Sequence, residues 1–207
     1  AHGELMMIGA YATFVVQGLF ISYLPENLFG FYFILALPAA FAAAALVGYL
    51  MEISIIRHLY GRPLETLLTT WGISLVLQQA VRQVFGAQNV DVKAPSWLSG
   101  GYHLIIGVQF PYNRLFIIVL AAVCVAGTYL FLFRTRAGMR IRAVTQNREM
   151  STCLGVSSRR VDAWTFASGA GLAGLAGAAL SQVGNVGPDL GQNYIVDSFM
   201  VVVTGGV

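Results

Sequence analysis

The chain has 207 residues, of which 57% are hydrophobic and 10% charged, with twelve Lys and Arg against nine Asp and Glu. Soluble domains carry about a quarter of their residues as charged groups, so this balance excludes an ordinary soluble domain and places the chain among integral membrane proteins. The small positive excess is gathered in one stretch and lacks the basic face with interleaved aromatics that nucleic-acid binding requires.

The chain begins at Ala1 and stops at Val207 inside an apolar run, which reads as an internal fragment, both ends incomplete, of one transmembrane domain covering residues 1–207. A first span is expected from Leu5 to Leu24, a stretch without charge. Twenty helical residues reach about 30 Å, the thickness of a hydrocarbon core. His2 and Glu4 at its start have two readings. They bind or gate a substrate, as ionisable groups near spans tend to, or they cap a helix start, where a glutamate is favourable. Pro25-Glu26-Asn27 marks a turn. The second span, Leu28 to Met51, contains Pro38, which should kink or break it, and an Ala39 to Ala45 run that offers a small-residue packing face.

Glu52, Arg57, His58, Arg62 and Glu65 fall in the next connection, with Gly61 and Pro63 as breakers, and the arginines place it inside. In the third span, Thr66 to Phe85, polar residues recur at every fourth position: Thr66, Thr70, Ser74, Gln78 and Arg82. Lipid would penalise such a stripe, so it should face protein or water. Thr70, Ser74 and Gln78 either line a solute path or bind helices together through hydrogen bonds. Gly72 is expected to interrupt this helix. Residues 86–113 form a long external loop, with Lys93 as its cation and a short β-hairpin over Tyr102 to Phe110, although Leu104-Ile105-Ile106 breaks the alternation.

A fourth span, Leu115 to Phe133, leads to the hydrophilic stretch Arg134 to Arg160, which holds seven of the twelve Lys and Arg. Cytoplasmic loops retain such residues, so this stretch lies inside. Ala143, Asn147, Met150 and Leu154 fall three or four apart and predict one helical face; Gly155 is its stop, and Ser157 or Ser158 caps the helix that follows. The result is a rigid surface for a partner, or else a loop that only sets topology and touches anionic headgroups. The fifth span, Ala163 to Gln182, carries a row of small residues, Gly169, Ala173, Gly177 and Ser181, suited to close helix approach. Gly184 to Asn193 forms an external loop, and Ile195 starts a sixth span.

No GxxxxGK[ST] loop is present, so any ATP is bound by a partner and no cofactor is expected in this chain. Phe166-Ala167-Ser168-Gly169 lacks the first glycine of a GxSG protease site. Cys124 and Cys153 are expected at different depths as free thiols, and His2, His58 and His103 are too scattered for a metal site.

AHGELMMIGAY (1–11), GMRIRAVTQNREMSTCLGV (138–156), FASGAGLAGLAG (166–177) and VVVTGGV (201–207) together resemble the permeases of branched-chain amino-acid-type ABC importers, nearly end to end. Within that family the stretch 66–101 is most similar to urea-importer permeases. The resemblance implies an all-helical bundle of five complete spans and a truncated sixth. It also implies a bacterial inner-membrane location, a second homologous permease, two cytoplasmic ATPases and a periplasmic binding protein. Arg134 to Arg160 would then be a coupling helix, with Gly138, Arg142, Ala143, Asn147, Leu154 and Gly155 on the family motif. The expected activity is transport of urea without enzymatic chemistry; branched-chain amino acids are the alternative cargo, and an ATP-independent channel a further one.

Overall fold

A computed structural model describes residues 2–23, 32–59, 62–92, 95, 100–103 and 109–205. The uncharged stretch near the start forms α1 (His2–Tyr23), and the second apolar run forms α2 (Tyr32–Ser54). The turn expected at Pro25-Glu26-Asn27 lies outside the described residues. The α2 helix continues through Pro38 instead of breaking there. It also includes Glu52, which is 1% exposed and so belongs to the core, not to the connection. A short 3-10 turn (Ile56–His58) follows.

Pro63 opens α3 (Pro63–Phe85) at a first-turn position, where its missing N–H costs nothing. The helix runs through Gly72 uninterrupted. Two short antiparallel strands, β1 (Gly101–His103) and β2 (Gln109–Pro111), pair with Tyr102 opposite Phe110. They agree with the expected hairpin; its turn, and Lys93, lie outside the described residues. Beyond them come α4 (Tyr112–Arg134), α5 (Arg136–Gln146), α6 (Arg148–Cys153), α7 (Ser158–Leu180) and α8 (Leu190–Thr204).

The core is built by α1, α2 and α7. On α2, Tyr32, Ala36, Ala40, Ala44, Gly48 and Glu52 are all buried, a row spaced by four that presents mostly small side chains to α7. Lipid tails are as apolar as the side chains, so helix association rests on van der Waals contact and on interhelical hydrogen bonds. Small residues make that contact closer. On α7 the row that achieves it differs from the expected one: Gly171, Gly174 and Gly177 meet Phe41, Ala40 and Ala44, and the Met6 backbone, while Gly169 faces open space. Packing against two helices at once draws on both three- and four-residue spacings, which a strict four-residue row misses.

Among the described residues, four helical stretches are long and apolar enough to cross a membrane: His2–Ser22, Tyr32–His58, Tyr112–Arg134 and Ser158–Leu180. The α3 helix matches them in length, but its polar stripe, Glu65 and Arg82 leave it less apolar. The α8 helix starts five residues before the expected Ile195 and is described for 15 residues. Cys124 in α4 and Cys153 at the end of α6 are both free thiols.

Candidate solute path and coupling surface

The polar stripe of α3 turns inward along its second half. Thr66 donates to the Leu59 carbonyl (3.1 Å) and Thr70 to the Leu67 carbonyl (3.0 Å), each satisfying backbone locally. Farther along, Ser74 is 8% and Gln78 4% exposed. Elsewhere on the helix Leu64, Leu68, Trp71 and Val76 are exposed. The inward half meets α1. Gln78 Nε2 donates to Glu4 Oε1 over 2.9 Å between buried groups, and the Tyr11 and Phe85 rings stack at 4.7 Å.

One turn beyond Gln78, Arg82 donates to Asp189 Oδ1 at 2.7 Å. Val90 and Val186 exchange both backbone hydrogen bonds (2.8 and 2.9 Å), so the segment after α3 is held against the segment before α8. Sequence reasoning missed Asp189 as a partner of Arg82. Its only signal was an acid beside Gly187-Pro188 in a loop without basic residues.

Of the expected path residues, the structure therefore brings Glu4 and Gln78 together, buries Ser74 on the same helix face, and leaves Thr70 half-buried one turn earlier. His2 goes elsewhere. Its ring lies 5.4 Å from Phe166, beside a cleft of about 270 Å³ bounded by Val144 and Thr145 of α5 and Asp162 of α7. A cap role for Glu4 does not describe it, since its carboxylate is engaged across to another helix.

The basic stretch is two helices. The single face expected through Ala143, Asn147, Met150 and Leu154 is broken at Asn147, whose φ of −151° is extended backbone. Its Oδ1 accepts from Met150 N (3.0 Å), and its own N–H donates to the Ala143 carbonyl (3.1 Å), so one residue closes α5 and opens α6. Gly155 ends α6 as expected: its φ is +83°, its N–H donates to Thr152 O, and Val156 N donates to Ser151 O, both at 3.0 Å. That paired arrangement needs a left-handed residue, which glycine supplies without a Cβ penalty. Ser157 stands at the cap of α7 but makes no side-chain cap bond.

At the other end of α5, the Thr135 hydroxyl donates to Phe131 O (2.6 Å) and accepts from Gly138 N (3.0 Å). Gly138 packs directly on the Phe131 and Leu132 carbonyls, leaving no room for a Cβ. Arg142 lays its guanidinium 4.7 Å from the centre of the Phe133 ring, and Arg148 pairs with Asp162 of α7. So fixed, the two short helices expose Met139, Met150 and Leu154, the last 79% accessible, within an otherwise hydrophilic surface. Apolar side chains presented on a rigid polar element suit a protein partner better than a headgroup layer.

Long apolar helices knitted by small residues, with polar groups hidden between them, define a polytopic membrane protein. The chain belongs to the family of branched-chain amino acid transport system permease components, which matches residues 1–207. It is 32% identical to the high-affinity branched-chain amino acid transport system permease protein BraD of Pseudomonas aeruginosa, with the whole chain covering 68% of that protein. Against LivH of Escherichia coli K12, a permease of the same description, it is 28% identical at the same coverage. The probable LivH of Methanocaldococcus jannaschii is 23% identical and matches 96% of the chain and 64% of its own length. No solved structure matches. The chain is thus a permease component of a transport system and not an enzyme. These relatives are named for branched-chain amino acids and none for urea, so the urea likeness of residues 66–101 gains nothing from them.

Proposed function

We propose that the chain is the membrane-crossing permease of an ATP-driven importer in the inner membrane of a bacterium, and that its cargo is branched-chain amino acids. The observation that carries this reading is the family match over the whole of residues 1–207, together with relatives named for that cargo. In this reading α3 crosses the membrane with the four more apolar helices, its stripe turned toward the path, and α8 contributes a sixth element. A second similar permease completes the pathway, a periplasmic binding protein delivers cargo, and two cytoplasmic ATPases dock on α5 and α6. Gly138, Arg142, Ala143, Asn147, Leu154 and Gly155 shape that docking surface. The exposed Met139, Met150 and Leu154 support it, because a groove in a partner protein would cover them.

Urea is the second reading. It rests on residues 66–101 and on the uncharged polar set Thr70, Ser74 and Gln78, which suits a small neutral solute rich in donors and acceptors. Uptake of labelled leucine and labelled urea into vesicles carrying the full importer, with binding protein and with or without internal ATP, separates the readings. ATP-dependent leucine uptake is expected. Urea uptake in its place would keep the architecture and change the cargo, while flux indifferent to ATP would remove the coupling role of α5 and α6.

A further inference from the structure

Glu4 is a buried acid whose position the packing does not justify. Its side chain is 4% exposed, and only one of its oxygens is engaged, by Gln78. Its Oε2 is buried without a hydrogen-bond partner among the described residues, and so is the Tyr11 hydroxyl, seven residues along the same helix. Residues seven apart lie on one helix face. An interhelical hydrogen bond in a membrane contributes about 0.6 kcal/mol, up to about 1.7. Burying a side chain with part of its hydrogen-bonding capacity unmet costs about 1–3 kcal/mol. The cost exceeds the gain, so helix adhesion does not account for a carboxylate here; a donor that arrives and leaves does.

A polar-lined cavity of about 230 Å³ lies among Asn89, Asn185, Asp189 and Tyr194. Asp189, which lines this cavity, holds Arg82, and Arg82 lies one helical turn from Gln78, which holds Glu4. The start of α1 is pinned there, because Gly3 and Gly191 meet backbone to backbone two residues beyond Asp189.

We infer that Glu4 Oε2, on the same face of α1 as the unsatisfied Tyr11 hydroxyl, is a site at which the permease receives an N–H group of its cargo. The inference rests on the importer reading. The shared chemistry is an N–H donor, carried by the ammonium of an amino acid or by the amide of urea.

The test uses the assembled importer in liposomes with binding protein and ATP, measuring initial uptake of labelled leucine and labelled urea alongside basal ATP hydrolysis. Glu4→Gln keeps an acceptor for Gln78 and nearly the same shape, so a merely structural role predicts uptake within twofold of wild type. The expected result is at least a tenfold loss of uptake with basal hydrolysis within twofold. A larger loss for leucine identifies the ammonium as the group received, and a larger loss for urea the amide. Unaltered uptake in Glu4→Gln overturns the site and leaves the importer reading standing. Absence of ATP-dependent uptake of either solute by the wild type overturns the importer reading, and the site with it. If Glu4→Gln does not assemble, Tyr11→Phe removes a hydroxyl without changing shape: a threefold or greater loss supports the site, and unchanged uptake overturns it.

Discussion

Single atoms decide how closely the core helices approach. A Cβ at Gly177 would collide with the Met6 carbonyl, a backbone atom with no rotamer to escape into. Overpacking of this kind costs about 1–3 kcal/mol and occasionally more. Gly177→Ala is therefore expected to lower the melting temperature of the detergent-solubilised permease, whereas Gly169→Ala, which meets nothing within 4 Å, should leave it in place. The Arg82–Asp189 pair is a different case. Its side chains are 38% and 57% exposed, and pairs so open to solvent contribute about 0–1 kcal/mol. Arg82→Gln should shift the same melt by little, and a large shift would show the pair to be shielded within the assembly.

At the scale of the element, caps determine where α5 and α6 start and stop. Asn147→Ala removes the acceptor for Met150 N, and losing such a cap costs about 1 kcal/mol of helix stability. Faster amide exchange across 148–153 is the expected result, with α4 unaffected. The break at Asn147 illustrates what was legible in the sequence and what was not. Ala143, Asn147, Met150 and Leu154 obey helical spacing even though two helices carry them, because spacing is blind to a change of axis. The available signal was local: an Asn with an acid, Glu149, in the turn that follows it, as at many helix starts. Gly155 was readable for the opposite reason, since only a left-handed residue closes that end. The inward turn of α3 was legible from its stripe, but the partner of Gln78 was not. Contact between residues 4 and 78 depends on how α1 and α3 lean together, and no periodicity within either helix encodes that.

For the whole molecule, composition and apolar runs established a polytopic helical membrane protein, and the basic stretch established a hydrophilic face. The exposed Cys153 thiol offers a test of that orientation. A membrane-impermeant maleimide should label it in inside-out vesicles of the permease expressed without its ATPases, and not in right-side-out ones; the reverse pattern would invert the topology. Against the tight group of α1, α2 and α7, α4 stands apart: none of its residues is buried. Such a helix has little side-chain packing to hold its angle. Its start is tied to the core by Asn113, which donates to Gln182 O (3.0 Å), and by Phe116 against Phe33; its far end is the Thr135 elbow, where one hydroxyl serves both α4 and α5 and Gly138 rests on the last carbonyls of α4. The two helices consequently behave as the arms of a crank. We expect a sideways push on α5 to reach α4, a helix of 23 residues, through this elbow. Thr135→Val removes both bonds of the pivot, the α5 cap among them, and the expected signature is slippage: ATP consumed per solute moved should rise.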